Sequence, residues 1–153
     1  MRIVLLLLHG LVAVALLGAL SHQTAALFAR RVAANSLFVG RYARVNDQLF
    51  ARAVIVLYVF AVVLGAVIYP AYRVDVRIAF EELGLLWAVG VFELKEHAAG
   101  IGLGLLPLYA FLWWRQSVPH YALDRKMVTT FLTVVVWFDF VAGHILNNIR
   151  GLE

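Results

Sequence analysis

Residues 3–28 read IVLLLLHGLVAVALLGALSHQTAALF, and no other segment constrains the architecture more. No Asp, Glu, Lys or Arg interrupts it, and about 20 apolar residues suffice for a helix to cross roughly 30 Å of hydrocarbon. A run of this kind, with one Arg2 before it, is too long for the h-region of a cleaved signal ending at Ala19-Leu20-Ser21, so a retained span is expected. Working outward, three more stretches qualify: Ala53 to Tyr69, closed by Pro70; a third within Leu83–Trp114; and the Val-rich Met127–Ile149. Helices are expected throughout, because a bilayer offers no water to backbone N–H and C=O groups.

Composition agrees. Of 153 residues, 64% are AVILMFWYC and 14% are DEKR, against about 45–50% and about 25% in soluble domains. A soluble fold of this size cannot hide so much apolar surface. The lack of cysteine excludes disulfides, thiolate zinc sites and iron–sulfur clusters. The expected fold is all-α: one integral membrane domain over 1–153, a four-transmembrane-helix bundle with spans about 3–28, 53–70, 88–114 and 127–149.

The net charge of +4 reads as topology rather than as nucleic-acid binding. The connections after spans one and three hold Arg30, Arg31, Arg41, Arg44, Arg52, Arg115, Arg125 and Lys126, while the opposite side holds Arg2, Arg73, Arg77 and Arg150. The positive-inside rule then puts both termini outside, in what would be a bacterial inner membrane. Phe38, Tyr42, Val45 and Leu49 recur at helical spacing, which predicts an amphipathic interfacial helix or an extension of span two. On the outer side Asp75 is expected to cap a short helix from Val76, with Arg77 and Glu81 at i,i+4.

Ionisable groups in spans point to function, since each is expensive to bury. They are His9 in span one, Glu93, Lys95, Glu96 and His97 in span three, and Asp139 and His144 in span four. At 1.5 Å per residue the three histidines fall at similar depths, about 8–12 Å below the outer ends of their spans. On a helical wheel Glu93, Glu96 and His97 share a face with Gly100 and Gly104, and Lys95 points the other way. The glycines are expected to allow close helix approach. Lys95 is expected to pair with Asp139 or to snorkel outward.

Three chemistries use such a set. The first is a haem b held by His97 with His144 or His9, with Gly10, Gly100 and Gly143 giving room and Arg73, Arg77 and Arg150 meeting the propionates; the function would be electron transfer. The second is a non-haem metal held by His97, His144, His9, Glu93 and Glu96. A diiron site fits poorly, because Glu93-Leu-Lys-Glu96-His97 displaces the required repeat and shows it once. The third is a proton relay or quinone pocket using Glu93, Glu96, His97 and Asp139. Against all three stands a structural subunit of a larger membrane complex that uses these groups for helix registry. Lipid, other membrane subunits or a quinone are the partners these readings imply. His22 and His120 read as interfacial, Trp137 as a lipid or bundle contact, and Asn147–Gly151 as a helix end stopped by glycine.

The segments Ile68–Arg73, Phe92–His97 and Gly143–Gly151 resemble those of uncharacterised bacterial four-helix membrane proteins, which implies the fold and no activity. Leu8-His9-Gly10 is loosely similar to small haem-b and copper-resistance membrane proteins; no ligand is assigned from that likeness.

Overall fold

A computed structural model describes residues 2–29, 47–115 and 118–151. They form α1 (Arg2–Ala29), α2 (Asp47–Asp75), the short α3 (Arg77–Glu82), α4 (Leu86–Trp114) and α5 (Ala122–Gly151), with one 3-10 turn, Pro119–Tyr121, before α5. The four long helices have 28, 29, 29 and 30 residues, or about 42–45 Å each. Each is long and apolar enough to cross a membrane. α1 packs on α2 and α5, and α4 packs on the same two. The four therefore form a ring in which α1 and α4 sit at opposite corners.

The packing explains why lipid is the solvent. Within the most apolar windows, 22% of residues in α1 and α2 and 33% in α4 and α5 are buried by the chain itself. Large side chains such as Leu11, Val56, Ile101 and Val134 face outward. A water-soluble fold does not tolerate an apolar exterior of that extent. The interior is built on Leu16, Leu20, Val54, Leu106, Tyr109 and Leu132.

Two boundaries differ from the sequence reading. Pro70 does not end the second span: it sits inside α2, which continues to Asp75. A membrane helix can absorb one missing N–H, and the turn beyond Pro70 is held by Tyr72, whose ring stacks on Phe92 of α4 at 3.5 Å between centroids. Asp75 does not cap α3 either. The N-cap position is Val76, without a side-chain cap, because Val76 N–H still bonds Tyr72 O at 2.9 Å and so continues the preceding helix. The i,i+4 pair does form, with Arg77 Nε donating to Glu81 Oε1 at 2.8 Å. That bond pushes the Arg77 guanidinium above its ordinary range.

Gly84 ends α3. Its φ of +71° lets Leu85 N–H reach Phe80 O at 2.8 Å and Gly84 N–H reach Glu81 O at 3.1 Å, the double closure that favours a glycine after a helix. Val76 and Phe80 then pack beside Ala88, Val89 and Leu146, fixing where α4 begins. The expected amphipathic helix is described only from Asp47, where it is the first part of α2; residues 30–46 lie outside the described residues.

The half of the bundle near the α4–α5 connection is cross-linked by neutral polar groups. Tyr109 donates to Gln23 Oε1 across the ring's diagonal. Thr24 and Thr133 hydroxyls meet at 2.7 Å, Trp113 Nε1 donates to Thr129 at 3.1 Å, and Trp137 Nε1 donates to Ser21 at 3.0 Å. Buried Arg125 bonds Leu112 O at 3.3 Å and lies over the Trp113 ring. Removing the Tyr109 hydroxyl strands the buried Gln23 oxygen. Tyr109→Phe is expected to lower stability by about 1–3 kcal/mol, read as a lower denaturation midpoint in detergent.

Candidate functional site

α4 has two faces, and which one turns inward decides the site. Position 102 is the indicator. A Cβ there would overlap the Tyr58 hydroxyl of α2, so glycine alone lets the Tyr58 ring lie against the helix. Tyr58 is 3% exposed, and its hydroxyl donates to Ala99 O at 3.1 Å. The inward face of α4 therefore runs through Lys95, Ala99, Gly102 and Leu106. Gly100 and Gly104, expected at a close helix contact, are exposed, and a Cβ added at either would meet nothing within 4 Å.

The inward-facing set follows from that rotation. The Lys95 stem crosses to α5, with Cε 3.3 Å from where a Cβ on Gly143 would lie. Gly143, expected to make room for a cofactor, makes room for this lysine. Lys95 is the charged group that acts electrostatically on both Asp139 of α5 and His9 of α1. Asp139 in turn acts on Tyr58. His9 reaches the Ala61 backbone, and its Cε1 lies 3.5 Å from where a Cβ on Gly65 would be. One polar side chain from each long helix thus enters the same part of the interior: His9, Tyr58, Lys95 and Asp139. His9 Nδ1 and Asp139 Oδ1 are buried with no hydrogen-bond partner among the described residues. Polar atoms in that condition are ordinarily met by internal water.

The other expected residues lie elsewhere. Glu93 and His97 are exposed; His97 Nδ1 bonds Glu93 O of its own helix at 2.7 Å, and Glu93 Oε1 meets Arg77 at 3.5 Å. Glu96 and His97 border a shallow recess with Tyr69, Gly100 and Ile101. His144 is exposed, beside Asn148 at 3.3 Å. Arg73 is exposed and acts on Glu96; the Arg150 side chain lies outside the described residues. Of the three histidines expected to converge, one enters the bundle and two face outward. Among the described residues no three His, Asp or Glu side chains form a metal-ligating group, and His97 and His144 of the five expected ligands His97, His144, His9, Glu93 and Glu96 lie on exposed surface. The physical reason is the roll of α4, which turns Glu93 and His97 away from His9.

Sequence reasoning singled out Asp139 and Lys95 but missed Tyr58, which looks like any interfacial tyrosine until Gly102 is set against it. No protein-family model, curated protein or solved structure matches the chain.

Proposed function

We propose that this chain is a proton-binding and proton-relaying membrane protein whose working centre is Asp139, Lys95 and His9. The observation that carries the reading is that Lys95, its stem against Gly143 of α5, acts electrostatically on Asp139, a carboxyl with one buried oxygen unpartnered among the described residues. Intramembrane ionisable groups that face a bundle interior ordinarily serve transport or proton transfer. The carboxyl, ammonium and imidazole can exchange a proton with little change in total charge, and the Tyr58 hydroxyl is within the electrostatic reach of Asp139. Beyond them the inward side of α5 continues as Thr133, Thr129 and Arg125, all buried, with Gln23 Nε2 unpartnered nearby. That file of polar atoms supports a path toward the opposite side. With the termini outside, as the arginine distribution implies, the centre lies nearer the outer surface of a bacterial cytoplasmic membrane.

Vesicles holding a trapped pH dye, polarised by a potassium gradient and valinomycin, test this. Purified wild-type protein is expected to admit protons faster than empty vesicles. Asp139→Asn is expected to reduce that rate at least tenfold, and His144→Ala to leave it unchanged. Wild-type flux no greater than that of empty vesicles, or equal flux in Asp139→Asn, overturns the relay and leaves the cluster as a registry device. A Soret band on the purified protein that is lost in His97→Ala replaces the relay with the haem reading.

A further inference from the structure

The outward face of α4 carries ionisable groups where lipid alone is a poor neighbour. Leu86–Trp114 is about 43 Å long against about 30 Å of hydrocarbon. With the helix centred, His97, eleven residues from its start, lies about 10 Å below the hydrocarbon boundary. Its ring is exposed there. Nδ1–H is committed to Glu93 O, and Nε2 has no hydrogen-bond partner among the described residues. Glu96, half-buried, stands one residue earlier. A polar side chain at the lipid surface at this depth opposes the membrane state by a few kcal/mol unless something covers it.

We infer that a second copy of the chain covers it, α4 against α4. The reason is symmetry. At about 100° per residue, Glu93, Gly100 and Gly104 form the centre line of this face, Glu93 at its outer end neutralised by Arg77 at 3.5 Å, with Glu96 on one flank and His97 on the other. A two-fold axis parallel to the helices brings the flank of one copy against the opposite flank of its partner. The His97 side of each copy therefore meets the Glu96 side of the other, twice per dimer. An imidazolium facing a carboxylate, or a neutral imidazole facing a protonated acid, is hydrogen-bonded either way. The centre line is open, with nothing within 4 Å of a Cβ at Gly100 or Gly104, so two backbones can approach closely, as small residues four apart allow in membranes. Exposed Ile101, Leu103 and Leu108 flank the line with apolar surface. The recess beside Tyr69 is shallow, a shape that suits a helix better than an engulfed small ligand.

The absence of cysteine makes the test clean. In lipid vesicles under mild oxidant, Gly104→Cys is expected to give predominantly disulfide-linked dimer. Val134→Cys, on the exposed side of α5, gives the collision background at the same protein-to-lipid ratio. Energy transfer between donor- and acceptor-labelled copies measures association without cross-linking. His97→Leu and Gly100→Leu are each expected to raise the dissociation constant at least tenfold, and the exchange His97→Glu with Glu96→His to restore most of it. Helical circular dichroism should stay unchanged, since none of these positions is inside the bundle. Cross-linking of Gly104→Cys no greater than that of Val134→Cys, or energy transfer indifferent to His97→Leu and Gly100→Leu, overturns the dimer.

Discussion

Lys95→Met is expected to destabilise the protein by about 1–3 kcal/mol, the scale for leaving a half-buried polar group without its compensating partner. Adding Asp139→Asn to the same chain will recover most of that loss. Methionine keeps much of the stem that fills the space over Gly143, so the single change tests charge rather than volume. It leaves Asp139, already with one unpartnered oxygen, without the cation that acts on it. The carboxyl must then take up a proton or draw in water, and both oppose the packed state. In the double variant the amide has no charge to compensate. Equilibrium unfolding in mixed micelles of mild detergent and dodecyl sulfate measures all four corners of the cycle, and the coupling should exceed about 1 kcal/mol, well above that of independent sites. Losses that simply add would show that Lys95 and Asp139 do not sense each other.

Gly102→Ala is the second large effect. The added methyl would lie 2.7 Å from Tyr58 Cζ and closer still to the hydroxyl. The ring cannot swing aside freely, because it is buried among Leu16, Leu20 and Val54 in one cluster and bound to Ala99 O. Overpacking of this kind costs about 1–3 kcal/mol, and sometimes more. In a Tyr58→Leu background the same Gly102→Ala step should fall to near zero. Gly100→Ala and Gly104→Ala, whose added methyls meet nothing, should leave the monomer's midpoint unchanged or slightly raised, since glycine is a poor helix former. A Gly102→Ala midpoint equal to that of Gly104→Ala would mean the roll of α4 is wrong, and with it the inward placement of Lys95.

That roll also marks what the residues alone disclosed. The spans were legible because apolar runs of more than 20 residues have few alternatives, and the observed helices differ mainly in running a few residues further, past Pro70 to Asp75 and back to Ala122. The face of α4 was not legible. Its stripe of Glu93, Glu96, His97, Gly100 and Gly104 looks like a functional seam, and Lys95 looks like the misfit. A single helix offers no means of deciding which side meets its neighbours and which meets lipid, because its apolar residues surround it almost evenly. The deciding contact is between Gly102 and a tyrosine more than forty positions earlier. His9 and Asp139 were identifiable as buried polar groups from depth alone, and their distinct neighbours were not.

The interior lysine bears on how the chain is made. Of the four spans α4 is the least apolar, and a Lys or Asp within a span opposes entry, by up to about 2.5–3.5 kcal/mol at the helix centre and less toward its ends. Leaving the translocon one at a time, α1 and α2 partition into lipid readily, whereas α4 carries Lys95 ahead of the segment that bears Asp139. Synthesis has to continue through α5 before the charge of α4 finds its complement. Biogenesis of the second half is thereby a paired event, in which the last helix completes the integration of the one before it.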